Sequence, residues 1–137
     1  MKALSVLQPW ASLIIIGAKQ FETRFWPCPQ AMMGQTIAIH ASAGFKRENR
    51  DLCLTDPFYE PLALAYRENG AGEYLPEVWI EHLPRGVVLG TARITACVRT
   101  EEMLDIARAL SLSDQERAFG DYGPGRWAWL LGDVQRF

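Results

Sequence analysis

The sequence predicts a small mixed β-barrel of the α+β kind, with several helices flanking a curved sheet. Three observations predict it. Residues 2–6, 21–26, 36–42, 88–98 and 126–134 form short segments with the two-residue period of half-buried strands. Helical stripes are interleaved with these segments rather than gathered in one block. Gly90 interrupts the longest alternating run, which marks a bend or bulge of the kind that closes a barrel.

The elements follow in order. After the opening strand, Pro9 suits the first position of a helix whose buried side is Trp10, Leu13, Ile14 and Ile16, and Gly17 ends it. In the strand over 21–26, Phe21, Thr23 and Phe25 point one way and Glu22, Arg24 and Trp26 the other. Pro27, Pro29 and Gly34 then break regular structure. Over 36–42, Ile37, Ile39 and Ala41 face the core, while Ala38, His40 and Ser42 share the opposite face. Asp56-Pro57 reads as a cap and first turn, with Phe58, Leu62, Ala65 and Tyr66 as a helical stripe up to Asn69-Gly70. Residues 71–82 give no defined element, and 43–82 as a whole reads as a variable helical insertion able to act as a lid. Leu83-Pro84-Arg85-Gly86 is a turn before the long strand. Thr100 can cap a helix over 101–110. Ser113-Asp114-Gln115-Glu116 is a capping box that starts a shorter helix, stopped by Gly120. Trp127, Trp129 and Leu131 share one face of the last strand.

The 137 residues fit one domain spanning 1–137, and an apolar content of 49% excludes a disordered chain. No apolar run approaches the length of a membrane span, and the N-terminus lacks a secretion signal, so no membrane partner is expected. Cys28, Cys53 and Cys97 are odd in number and far apart, which argues for reduced thiols in a cytoplasmic protein. They form no metal-ligand spacing, nor do His40 and His82, so neither a metal nor a cofactor is expected. A net charge of −2 and a pI of about 5.7 exclude a broad electrostatic grip on duplex nucleic acid. The cluster Lys46, Arg47 and Arg50 is interrupted by Glu48 and Asp51 and reads as a solvated helix face.

One stretch stands apart. Gly17-Ala18-Lys19-Gln20-Phe21-Glu22-Thr23-Arg24 has the form G-x-K-x-x-E-x-R, with Glu22 and Arg24 on one face of the strand and Lys19 delivered from the preceding turn. Spacing alone leaves two meanings open: a surface strand with a loose ion pair, or a ligand site. Trp10 and Trp26 flank the motif as candidates for stacking on a base.

Leu4-Ser5-Val6-Leu7-Gln8-Pro9-Trp10-Ala11, the G-x-K-x-x-E-x-R segment and Ile37-Ala38-Ile39-His40-Ala41-Ser42 together resemble the ASCH domain, the family named for homology to activating signal cointegrator. Leu83-Pro84-Arg85-Gly86 and the run from Gly120 to Trp129 agree, so that the resemblance covers residues 3–42 and 83–134. It implies a PUA-like barrel with a cleft between the first helix and the sheet. By position it puts Lys19, Glu22 and Arg24 at the floor, Gln8 and Trp10 on one wall, and His40 and Ser42 on the neighbouring strand. The loop carrying Tyr122 and Arg126 closes the other side, with the Tyr122 ring available to stack on a ligand. Such a site implies capture of a single-stranded RNA nucleotide or a modified nucleoside. The alternative is a hydrolase acting on RNA or on acetylated cytidine, with Lys19 and Glu22 as catalytic candidates. ASCH amidohydrolases share the Gly, Lys and Arg of the motif but carry threonine where this chain has Glu22, so their mechanism does not transfer intact. In a ribonuclease, His40 or Lys19 would be the base and Arg24 or Arg126 would stabilise the phosphorane. Relatives continue past the equivalent of Phe137 into another strand segment. Either one barrel edge is therefore expected to be open or paired with a second copy, or the sequence stops short of that segment.

Overall fold

The computed structural model describes residues 1–66, 76–103 and 112–137. Its strands are β1 (Ala3–Val6), β2 (Phe21–Arg24), β3 (Thr36–Ala41), β4 (Val87–Arg99) and β5 (Trp127–Arg136). Its helices are α1 (Trp10–Ile15), α2 (Arg47–Leu52), α3 (Tyr59–Tyr66), α4 (Pro76–Glu81) and α5 (Asp114–Phe119), with a 3-10 turn over Gln30–Met32. The fold is α+β: a five-stranded sheet in the order β1-β3-β4-β5-β2, curled into a half-barrel. β1 runs parallel to β3, and the other neighbours are antiparallel.

The concave face is the core. Leu4 and Val6, Ile37, Ile39 and Ala41, Ala92 and Ile94, and Trp129 and Leu131 all point inward, closed from above by Ala11, Ile14 and Ile15 of α1. A second cluster lies on the far side of α1, where Leu13 meets Phe58, Leu62, Trp79, Ile80, Leu83 and Phe119. α1 is thus sandwiched, which explains why it is apolar nearly all round. The helix α4 occupies part of the 71–82 stretch that gave no defined element. Pro76 suits its first position, and Trp79 and Ile80 bury their side chains in the second cluster. The expected helix over 101–110 is helical at 101–103, and the rest lies outside the described residues, as does the Asn69-Gly70 end of the α3 stripe.

Curvature has an identifiable cause. Ile39 pairs with Gly90 but His40 with Val88, so Leu89 is an extra residue bulged out of β4. A Cβ on Gly90 would stand 2.1 Å from the Gln135 carbonyl oxygen and 2.9 Å from Ile15 Cδ1. Gly90→Ala must therefore push β4 off β5. It is expected to destabilise the fold by about 3 kcal/mol, lowering the thermal midpoint by roughly 10 °C. A midpoint within a degree or two of wild type would refute this account of the bend.

β5 is not an edge over its first half. Residues 127–130 pair with both β4 and β2, whereas the ladder from Gly132 to Arg136 pairs with β4. β1 and β2 are the sheet's true edges. They face each other across a seam, and Arg24 Nη2 on β2 donates to the Ser5 carbonyl of β1 at 2.7 Å. No described helix is long and apolar enough to cross a membrane.

Candidate functional site

The seam opens into a cleft of about 540 Å³, within the size range of small-ligand sites. Ser5, Leu7 and Trp10 form one side, Glu22, Thr23 and Arg24 the floor, and Phe119, Gly120, Asp121 and Arg126 the other side, with Leu52 and Phe58 at the end. Trp10 meets Phe58 edge to face at 6.3 Å between ring centres, giving the wall a fixed aromatic corner.

The motif is built by a helix stop. Gly17 takes a left-handed φ of +82°, and the amides of Ala18 and Lys19 both return to the Leu13 carbonyl at 3.0 Å. That turn drives Lys19 inward to 2% exposure, where Nζ donates to the Phe21 carbonyl and lies 4.0 Å from Glu22 Oε1. Glu22 Oε2 is 3.3 Å from Arg24 Nη2, so the carboxylate stands between an ammonium behind it and a guanidinium in front. Arg24 also lies 5.8 Å from the Trp26 ring centre and 6.0 Å from that of Trp129, the cross-strand neighbour of Glu22. On the opposite face, Thr23 Oγ1 accepts from the Asp121 amide at 3.2 Å. Arg126 Nη2 donates to the Thr23 carbonyl at 3.0 Å and Arg126 Nε to the Asp121 carbonyl at 3.0 Å. These bonds join the loop before β5 to the strand that carries the motif.

Glu116, which sequence reading placed only in a capping box, supports the same turn. Its amide does bond Ser113 Oγ at 3.0 Å, as a capping box requires. Its carboxylate instead accepts from the amides of Gln20 and Phe21 at 3.0–3.1 Å and is nearly buried. Burial lowers the Lys19 pKa below the usual lysine value, while the negative charges of Glu22 and Glu116 oppose that shift.

A lysine with a depressed folded-state pKa binds its proton less well when folded, so its contribution is fully present above the unfolded value and is lost as pH falls through the folded one. Wild type should therefore gain thermal stability relative to Lys19→Met as pH rises towards about 10.5. Parallel melting profiles of the two proteins between neutral pH and that value would disprove the assignment.

Of the expected site residues, Glu22, Arg24, Trp10 and Arg126 reach the cleft. Lys19 sits behind Glu22. Gln8 is wholly buried: its Oε1 accepts from the Ser12 amide at 3.1 Å and its Nε2 donates to the Pro84 carbonyl at 2.6 Å. That amide is spent joining α1 to the turn before β4. His40 lies on the convex side of β3, with Nδ1 3.1 Å from Ser5 Oγ, and touches the cleft only through Ser5. Ser42 follows the end of β3, and its amide bonds the Val6 carbonyl at 2.9 Å. The Tyr122 ring packs on Gly120, where a Cβ would meet Cε2 at 2.9 Å. Its hydroxyl is buried without a hydrogen-bond partner, and burial, with Glu116 and Glu22 nearby, pushes its pKa up. Tyr122 thus backs the cleft wall through Gly120 instead of presenting its ring. Among the described residues, no group of three or more His, Cys, Asp or Glu side chains is placed to hold a metal ion.

Fold and site together define a small α+β half-barrel with a charged, aromatic-walled cleft at its seam. The ASCH domain family model matches residues 4–131, and the chain belongs to that family. Among solved structures, the chain is similar to ASCH from Zymomonas mobilis, at 21% identity and a TM-score of 0.46, over 98% of this chain and 68% of that one. A Tyr-to-Phe mutant of the same protein aligns at 20% identity and 0.46, covering 98% and 70%. A Ser-to-Ala mutant aligns at 21% and 0.46, covering 98% and 68%. A search of curated proteins finds no match.

Proposed function

We propose that this ASCH domain captures one nucleotide of single-stranded RNA, or a modified nucleoside, in the cleft at the seam. The observation that carries the reading is the convergence of Arg24, Arg126 and Glu22 on one aromatic-walled opening of single-ligand size. Guanidinium groups suit a phosphate, which arginine can bind bidentately. A carboxylate can accept from an exocyclic base amine, and Trp10 offers a ring to an unstacked base. The acidic pI supports a local contact rather than a grip on a duplex backbone.

Titration of short single-stranded RNA and of the matching duplex DNA tests this. The single strand should bind more tightly, and two phosphate contacts would give a log K against log salt slope of roughly −1.4. Tighter binding of the duplex, or a much steeper slope, would overturn the reading.

A second reading, hydrolysis of RNA or of an acylated nucleoside, is favoured by one feature. The Lys19 amine, its pKa lowered by burial, lies 4.0 Å from the Glu22 carboxylate on the cleft floor. Product assays on acylated cytidines and unmodified RNA test it. Lys19→Ala should lose on the order of a hundredfold in turnover, whereas equal product from wild type and variant would rule this reading out.

A further inference from the structure

A single-nucleotide cleft leaves one adjoining surface unused. β2 ends at Arg24, and the next two side chains are aromatic and outside the core, Phe25 at 70% exposure and Trp26 at 53%. Arginine sits over the exposed rings, with Arg126 4.2 Å from the Phe25 ring centre and Arg24 5.8 Å from that of Trp26. A third pair lies alongside, with Arg99 5.2 Å from the Trp127 ring centre. Rings paired with guanidinium groups are a chemistry suited to single-stranded nucleic acid, because any base can stack on the ring and phosphates meet the cations.

A second cavity, of about 330 Å³, opens beside these pairs, lined by Arg99, Glu101, Glu102, Gly125, Arg126 and Trp127. Arg126 lines this cavity and the cleft alike, so the two concavities meet at one guanidinium. Its Nε and Nη2 are engaged with Asp121 and Thr23, which fixes the plane of the group between them. Of the two acids at the second cavity, Glu101 accepts from the Gly125 amide, which turns its charge into the loop. Glu102 remains as the acidic rim, so a phosphate is directed to the Arg99 and Arg126 side.

We infer that the second cavity, with Phe25 and Arg99, is a subsite for the nucleotide adjacent to the one in the cleft. The ligand is then a single RNA strand of at least two nucleotides, with its linking phosphate at Arg126 and a base on the open side of Phe25. This rests on the nucleotide-binding reading of the cleft.

The test titrates cytidine 5′-monophosphate and a cytidine trinucleotide, whose bases carry the exocyclic amine that Glu22 can accept from, into wild type, Phe25→Ala and Arg99→Ala. Wild type should bind the trinucleotide at least about tenfold more tightly than the mononucleotide, the scale of one added base stack. Each substitution should shrink that advantage and leave mononucleotide affinity unchanged. Equal affinity of wild type for both ligands would overturn the second subsite while the cleft reading stood. An advantage that survives both substitutions would also overturn it, by placing the added contact elsewhere. Absence of binding to either ligand would remove both readings.

Discussion

Arg24→Met is expected to weaken binding of single-stranded RNA by about a hundredfold or more, equivalent to roughly 2.7 kcal/mol. Arg24 is the cation on the cleft floor, and its Nη2 is already aimed across the seam at the Ser5 carbonyl and the Glu22 carboxylate. A phosphate entering between the edges meets a guanidinium held in place on two sides, so little side-chain entropy remains to be lost. Methionine fills similar space without the charge or the donors. Arg24→Lys separates charge from geometry: it keeps the cation but loses the planar fork, and should recover only part of the affinity. The substitution also has a structural cost, because Glu22 loses one of its two cationic partners and the β1–β2 seam loses its bridge. Affinity should therefore be read well below the melting transition of each variant. Unchanged affinity in folded Arg24→Met would remove the cleft from the account.

Glu116→Ala should produce the largest loss of stability, about 4 kcal/mol, the scale of breaking a buried charged network. The carboxylate satisfies the amides of Gln20 and Phe21 and adds negative charge beside the buried Lys19. Alanine would leave two amides without partners and the lysine with Glu22 as its remaining close counter-charge. Glu116→Gln keeps a carbonyl acceptor and should cost markedly less. Calorimetric melts of the two variants check this. Similar, small losses in both would mean that the turn holding Lys19 stands without Glu116.

Periodicity made the sheet legible. Ile37, Ile39 and Ala41 are buried as their spacing requires, and Glu22 and Arg24 share a face because they lie two positions apart on a strand. The glycine that bends β4 could be picked out because nothing else explains a glycine in the middle of a buried strand. What spacing cannot encode is which distant backbone group takes a polar side chain. Gln8 finds the Pro84 carbonyl 76 residues away, and Glu116 finds the Gln20 amide 96 residues away. Both therefore serve the scaffold of the cleft, one behind its wall and one beneath its floor. His40 and Ser42 share a face of β3, but that face is convex, and strand parity does not say which side of a sheet holds the ligand. α4 is six residues long like α1 and α5, but it has neither the glycine stop that marks α1 nor the capping box that marks α5, so its sequence carries no boundary signal beyond Pro76.

Ligand is expected to enter the seam between β1 and β2. Nuclear magnetic resonance titration with a short single-stranded RNA tests it directly. The largest shifts are expected at the backbone amides of Thr23, Arg24, Gly120 and Asp121 and at the Trp10 indole, all from cleft-lining residues. Shifts centred on His40 and the convex face of β3, or on α3, with those five signals unmoved, would contradict it.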